Sequence, residues 1–271
     1  MKLKFLGTRG GVPVSGADKS FGNSTSCVSV ALDGVSYIFD AGNGILNFET
    51  DLKTNPAASQ IRIFLSHYHF DHLLGFPFFQ PLYSKKFDIK VHLPTFGNIR
   101  GIEALQKLVS PPLFPVDLAV LGEHVTFLDF EPGELISDGD AVSVETKLFN
   151  HPGGVCAYKL VSGSKSIVYL SDVENAEANT IPDLVEFCVS ANLLVIDSSY
   201  SDDEIVTRRG WGHFCISDIQ LLAEKLPKTT IYLFHHEPSK SDERVEKDSF
   251  ELRSQHRNVL IAQQGDEVEI Q

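Results

Sequence analysis

Short apolar runs recur along the whole chain, each closed by Gly, Pro, Asn or Asp. Residues 2–6, 27–32, 35–39, 61–65, 89–93, 125–130, 142–149, 155–161 and 166–170 read as strands, and 193–196, 230–234, 259–262 and 267–270 continue the series. Between them, apolar residues recur at helical spacing near 98–109, 181–189, 216–226 and 242–254. About thirteen strands exceed what one flat sheet accommodates, and the interspersed helices point to two packed sheets with helices outside. The expected fold class is α/β, a four-layered αββα sandwich. No repeat, low-complexity tract or Gly/Ser linker marks a boundary, so residues 1–271 are expected to form one domain. The mixed-sign charge run at 237–253 carries Val245 and Leu252 seven apart and reads as a solvated helix face.

Composition narrows the class. At 271 residues, 42% hydrophobic and 22% charged, the chain can bury a sizeable core, which excludes disordered and fibrous classes. Its formal charge of −13 repels phosphate backbones at long range, so extended nucleic acid is an unfavourable partner. An anionic substrate therefore needs a local source of positive charge. No apolar run approaches the roughly 20 residues of a membrane span, and the opening residues reach Gly7 before a signal-peptide core forms. The four cysteines, Cys27, Cys156, Cys188 and Cys215, contain no CxxC pair and fit neither a disulfide framework nor a cysteine-rich zinc site. A cytoplasmic location without a membrane partner is the expectation.

The ten histidines are unevenly placed. Three fall within Ser66-His67-Tyr68-His69-Phe70-Asp71-His72, directly after an expected strand. In extended chain His67 and His69 project to the same side, and Asp71 and His72 follow as the chain bends. Such a loop can hold two ions, one at the first two histidines and one at Asp71 and His72. Neutral imidazole with carboxylate suits zinc, manganese or iron. Packed without a cation, the cluster would leave several buried polar groups to satisfy. Further donors sit just beyond strands: His151 in Asn150-His151-Pro152-Gly153-Gly154, Asp172 in Leu170-Ser171-Asp172, and His235 after 230–234. Ligands gather at strand ends in α/β proteins, and one carboxylate can bridge two cations.

His67-x-His69-x-Asp71-His72, followed by His151, Asp172 and His235 in that order, resembles the metallo-β-lactamase superfamily over nearly the whole chain. The resemblance implies an αββα sandwich with two metals. By position, His67, His69 and His151 would hold the first, Asp71, His72 and His235 the second, with Asp172 bridging. In His235-His236-Glu237-Pro238 the first histidine matches the ligand, leaving His236 as its support or as a wall of the site. Asp40, in Phe39-Asp40-Ala41-Gly42, matches a position that orients the histidine motif, the kind of support metal-bound imidazoles require. The expected cofactors are two divalent ions, zinc first, with manganese and iron accepted by the same donors.

Two metals sharing a hydroxide favour hydrolysis without choosing the bond, and fold alone cannot choose it. The discriminating element is Gly210-Trp211-Gly212-His213-Phe214-Cys215 before the 216–226 helix. A histidine outside the ligand set can protonate a leaving alkoxide. The segment resembles the Gly-His-Ser-Thr motif of the phosphodiesterase branch, which includes tRNA 3′-processing endonucleases and small cyclic-phosphate diesterases, although Phe214 and Cys215 replace Ser and Thr. His213 and Asp71, the latter also a ligand, are the catalytic candidates. Arg208 and Arg209 are candidates for holding phosphate oxygens or, equally, exposed salt-bridge residues; Asp202, Asp203 and Glu204 either orient His213 or, the commoner role, solvate a loop. The tRNA-processing enzymes carry a long arm between the motif histidine and the bridging aspartate. Here that interval, 151 to 172, is mostly consumed by two strands. Among Tyr68, Phe70, Phe76, Phe78 and Phe79, one or two are expected to offer a stacking platform and the rest to join the core.

The reading is thus a dinuclear hydrolase of a small or cyclic, nucleotide-type phosphodiester, with a metal-bridging hydroxide as nucleophile and His213 as acid. Its rivals are an acyl hydrolase resembling glyoxalase II relatives and a metal-containing sensor without turnover. Two divalent ions against Asp71, Asp172 and a hydroxide leave the pit near +1 by formal counting, within an acidic surface. That contrast admits a compact diester more readily than a long polyanion.

Overall fold

The computed structural model describes residues 1–16, 20–54, 59–139 and 141–270. Among these residues, fourteen strands form two seven-stranded sheets. The first contains β1 (Lys2–Gly7), β2 (Cys27–Leu32), β3 (Val35–Phe39), β4 (Gln60–Phe64), β5 (Asp88–Pro94), β6 (Val125–Phe130) and, at its far edge beside β1, β14 (Glu267–Glu269). The second contains β7 (Leu135–Asp138), β8 (Val142–Phe149), β9 (Val155–Ser162), β10 (Lys165–Leu170), β11 (Leu193–Asp197), β12 (Thr230–Phe234) and β13 (Val259–Ile261), in that spatial order. Helices α1 (Ile45–Thr54), α2 (Phe70–Leu73) and α3 (Gly101–Leu108) belong to the first half, and α4 (Thr180–Cys188), α5 (Asp202–Arg208), α6 (Ile216–Lys225) and α7 (Asp242–Gln255) to the second.

Three apolar layers hold these elements. Between the sheets lie Leu3, Phe5, Phe39, Phe64, Tyr158 and Tyr169 with their neighbours. Outside the first sheet, Ile45 and Phe48 of α1 and Leu105 of α3 cover Ile38, Ile63 and Val91. Outside the second, Leu184 of α4, Leu222 of α6 and Leu252 of α7 cover Val168, Leu194 and Ile231. Each fully buried Leu, Ile or Phe contributes roughly 1.5–3 kcal/mol of transfer free energy. This is the αββα sandwich expected from the strand count. Val245 and Leu252, seven apart on α7, are both buried, so the charged run is helical from Asp242 onward with one apolar seam. The four cysteines are free and buried.

The strand directions explain where a site can form. β3, β4, β5 and β6 are parallel, as are β10, β11, β12 and β13, so their carboxyl ends open on one edge of each sheet. Phe39 lies opposite Phe64, and Asp197 opposite Phe234, which brings the loops after these strands level with one another. The interval from 151 to 172 is the β9–β10 hairpin, joined at residues 163–164, with no inserted arm. No described helix is long and apolar enough to cross a membrane.

Candidate metal centre

Asp40 follows β3, His67 to His72 follow β4, His151 follows β8, Asp172 follows β10 and His235 follows β12. Two of the predicted donor groups assemble there. His67, His69, His151 and Asp172 offer ligand atoms within 4.8 Å of one another, and so do Asp71, His72, Asp172 and His235. Asp172 belongs to both. Its Oδ2 lies 3.6 Å from His67 Nε2 and 3.9 Å from His151 Nε2, while its Oδ1 lies 3.4 Å from His72 Nε2 and 3.1 Å from His235 Nε2. On the first side His69 Nδ1 and His151 Nε2 are 3.0 Å apart. On the second, Asp71 Oδ2 is 3.0 Å from His235 Nε2 and 3.3 Å from His72 Nε2.

The rings are aimed by bonds on their outward nitrogens. His72 Nδ1–H donates to Asp40 Oδ2 at 2.7 Å, and Tyr169 donates its hydroxyl to the same oxygen at 2.7 Å. Ser66 relays Asp40 to His67: its hydroxyl donates to Asp40 Oδ2 at 2.7 Å and accepts from His67 Nδ1 at 2.9 Å. His151 Nδ1–H donates to the Gly212 carbonyl at 2.9 Å, and His235 Nδ1–H to Ser199 Oγ at 3.0 Å. In each case the bond on Nδ1 turns Nε2 toward the centre. His67 Nε2 is buried without any hydrogen-bond partner, which fits a cation and fits a purely hydrogen-bonded cluster poorly. These His/Asp clusters are suited to binding two metals.

Electrostatics separate the groups. Burial holds the His67 imidazolium well below its ordinary pKa, so the ring is neutral and available as a ligand. Burial acts the same way on His72, but Asp71, Asp172 and Asp40 outweigh it and raise that pKa well above the ordinary value. Asp71 and Asp172 are held well below the usual carboxylate range, with their histidine neighbours overcoming the cost of burial.

Close approach of backbone to ring requires glycine at two positions. A Cβ at Gly10 would stand 2.2 Å from His235 Cε1, and one at Gly212 would stand 2.0 Å from His151 Nδ1. Gly11 N–H also donates to Asp71 Oδ2 at 2.8 Å. Three non-glycine site residues have left-handed backbone, Asp40 at φ 61°, Asp172 at φ 56° and His235 at φ 58°. That backbone turns the chain sharply where each residue leaves its strand.

His213 lies beside the cluster, its ring 5.1 Å from that of His235 and 5.8 Å from that of His151. Its Nδ1–H donates to Asp197 Oδ2 at 2.9 Å, and its Nε2 has no protein partner among the described residues. Burial disfavours its charged form, yet Asp197, with Asp172 and Asp71 further off, raises its pKa to about 9. Asp197 is completely buried at the end of β11 and also accepts from Ser199 Oγ at 2.6 Å, which links it to His235. Of the two roles open to Asp202, Asp203 and Glu204, orienting His213 is not the one seen: Asp202 accepts from Ser217 N, and Glu204 closes the capping box of α5 and pairs with Lys240. The signal for Asp197 was the rule that had found Asp172, a carboxylate at the end of an apolar strand. Glu174, also missed, holds the glycine loop by accepting from Gly210 N at 2.6 Å and Gly212 N at 3.2 Å.

The remaining candidates divide. The Arg208 guanidinium lies 4.9 Å over the Tyr200 ring, whose edge-on neighbour at 5.3 Å is His213. Arg209 is exposed and makes no side-chain hydrogen bond or ion pair among the described residues. His236 points away from the ligands, donating Nε2–H to the Ala262 carbonyl at 3.1 Å and meeting Phe21 edge-on at 5.6 Å. It is packed in the interior, where burial lowers its pKa to about 3, rather than forming a wall of the pit. Of the aromatics near the motif, Phe76 and Phe79 are core, while Tyr68 and Phe70 border a cavity beside the cluster. Cys215, in place of a threonine, caps α6 in a reciprocal box with Asp218.

Residues 36–236 match the beta-lactamase superfamily domain. The chain belongs to that family. This metallo-hydrolase chain is 25% identical to ribonuclease Z of Methanosarcina mazei over 319 aligned positions, covering 100% of this chain and 98% of that protein. It is 31% identical to ribonuclease Z of Haloarcula marismortui over 134 positions, 48% of this chain and 40% of that protein, so it spans less than half of that relative's length. Its fold superposes on the solved metallo-beta-lactamase fold protein YhfI of Bacillus subtilis with a TM-score of 0.76 at 19% identity, covering 99% of this chain and 98% of the other.

Proposed function

We propose that this protein is a metal-dependent phosphodiesterase of small or cyclic, nucleotide-sized phosphodiesters. The observation that carries the reading is His213, tied at Nδ1 to a buried carboxylate and free at Nε2, set against a cluster suited to two ions. His67, His69 and His151 would hold one ion and Asp71, His72 and His235 the other, with Asp172 reaching both; zinc is the first candidate for this donor set. Bound there, two divalent cations supply an activated water and withdraw charge from the phosphoryl oxygens.

The chain's own residues supply the remainder. Asp197 fixes the tautomer and direction of His213. His213 can then give its Nε2 proton to the departing alkoxide, a step worth typically 10²–10⁴-fold for a poor leaving group. Gly212 and Glu174 hold the loop that carries this histidine against His151. Asp40 keeps His67 and His72 aligned before substrate arrives, as preorganised sites require. Arg208, one ring removed from His213, would meet a phosphate oxygen by extension of its side chain.

A second reading, cleavage of RNA, is favoured by the names of the ribonuclease Z relatives. Against it stand the formal charge of −13 and the short β9–β10 hairpin, which offers no arm to grip a folded RNA. The test is a panel of cyclic nucleotides, dinucleotides, alkyl diesters, a thioester and a precursor tRNA, each with metal-replete protein. Small diesters should give the highest kcat/KM. Precursor tRNA outrunning all of them would replace this reading with the second, and thioester cleavage untouched by His213→Ala would move the activity to acyl transfer.

A further inference from the structure

Beside the cluster lies an open cavity of about 350 Å³, within the range of small-molecule sites. His67 and His69 form part of its lining, so it is continuous with the metal centre. The rest is almost wholly hydrocarbon: Tyr68, Phe70, Phe96, Ile99, Leu108 and Leu113, with Ala104 of α3 facing the same space. The Tyr68 hydroxyl is already committed, donating to the Pro94 carbonyl at 2.6 Å, and Gly154 N–H donates to His151 O at 2.8 Å. Lys107 brings the one charged side chain outside the histidines, and it is exposed. At the mouth three large apolar side chains face solvent, Phe70 at 64%, Ile99 at 49% and Leu113 at 68% exposure. Apolar surface left open beside a reactive centre marks a binding surface more often than a packing accident.

The lining discriminates among substituents. A nucleobase or sugar placed there would bury hydroxyl, amide and ring-nitrogen groups with few partners, which is costly, whereas each buried methylene is favourable. No residue of the 208–215 segment lines the cavity. The group that enters it is therefore on the side away from the proton donor.

We propose that the cavity binds an apolar alkyl or aryl ester substituent of the substrate, so that the preferred diester is R–O–PO₂⁻–O–R′ with R hydrocarbon. The proposal rests on the phosphodiesterase reading. In the reaction, water oxygen bonds to phosphorus and releases one proton to solvent, the bond from phosphorus to the R′ oxygen breaks, the R′ oxygen takes the His213 proton, and His213 regains a proton from solvent. The R group stays on phosphorus in the cavity, and the products are R-phosphate and R′OH.

The test is a series of methyl, butyl and octyl p-nitrophenyl phosphates and thymidine 5′-p-nitrophenyl phosphate, assayed with metal-replete protein. The leaving group is constant, so differences report the other substituent. Each buried methylene should raise kcat/KM roughly threefold to fourfold, giving about 30-fold or more from methyl to butyl. The thymidine ester should not exceed the butyl one. Ala104→Trp, which fills the cavity, should bring the butyl-to-methyl ratio below about 5 by removing most of that gain. Leu113→Ser, at an exposed position that cannot disturb the core, should lower the ratio in the same direction. A flat alkyl series, or a steep one that both variants leave steep, overturns the proposal while the phosphodiesterase reading stands. Absence of turnover on every diester brings down that reading, and this proposal with it.

Discussion

His67, His69 and His151 on one side of Asp172, and Asp71, His72 and His235 on the other, share a bridging residue but differ in charge and access. The first group has three imidazoles and one shared carboxylate, at 3.6 and 3.9 Å, and His69 is exposed beside the apolar cavity. The second group has two carboxylates, is wholly buried, and closes to 3.0–3.4 Å. Asp71 also accepts a backbone N–H from Gly11, and His72 donates directly to Asp40. The second group is built to retain a cation, because uncompensated negative charge in a buried site is costly. The first opens on the cavity that His67 and His69 line, where the proposed substrate would enter.

The comparison can be broken most severely at the residue both groups share. Asp172→Ala should lower the metal content from two equivalents to one or fewer and cost about a thousandfold or more in kcat, since the activated water depends on the ions. Elemental analysis beside a thermal melt checks this, the melt of metal-stripped protein showing that the sandwich survives. His213→Ala should leave both equivalents bound. It should lower kcat by about 10²–10⁴-fold for an alkyl leaving group and by less than about tenfold for p-nitrophenolate, which departs without a proton donor. Loss of metal in that variant would mean that His213 belongs to the ligand set. Asp40→Asn should weaken metal affinity by about 10–100-fold, with the effect on the second group at least as large as on the first, because His72 contacts Asp40 directly and His67 does so through Ser66. The mildest test perturbs nothing covalently. Titration with a chelator should remove one ion at about tenfold lower chelator concentration than the other, ~1.4 kcal/mol, and His69→Ala should abolish the first step alone. Simultaneous release would show that the two groups bind as one.

Much of this architecture could be read from the chain. Five strand boundaries, those of β2, β3, β6, β8 and β12, coincide with the expected runs because an apolar stretch between breakers is a local signal. β7 was missed because an edge strand of four residues, with Leu135 exposed and Ser137 and Asp138 polar, carries no such run. α1 and α5 were missed as well; α5 buries no residue and is defined by its cap instead of an apolar face. At the site, the His67 to His72 cluster was visible because its spacing is itself the signal. Asp197 was not found, since three acidic residues nearer His213 in sequence competed with it. What separates them is register: Asp197 lies across from Phe234, one residue before His235, whereas Asp202 to Glu204 begin a helix that turns away. The contacts of Gly10 with His235, Ser199 with His235 and the cavity beneath Phe96 all join segments far apart in sequence, so no local pattern announces them.

The left-handed backbone at Asp40, Asp172 and His235 has a consequence for anyone seeking a hardier version of this protein. Such torsions disfavour side chains by roughly 1–2 kcal/mol each, and glycine adopts them freely. A library sorted only for survival at high temperature would be drawn to replace these three residues, and its winners would be heat-resistant and inert. Directed evolution here needs a selection for turnover in every round, because at these three positions the easiest gains in robustness and the ability to do chemistry pull in opposite directions.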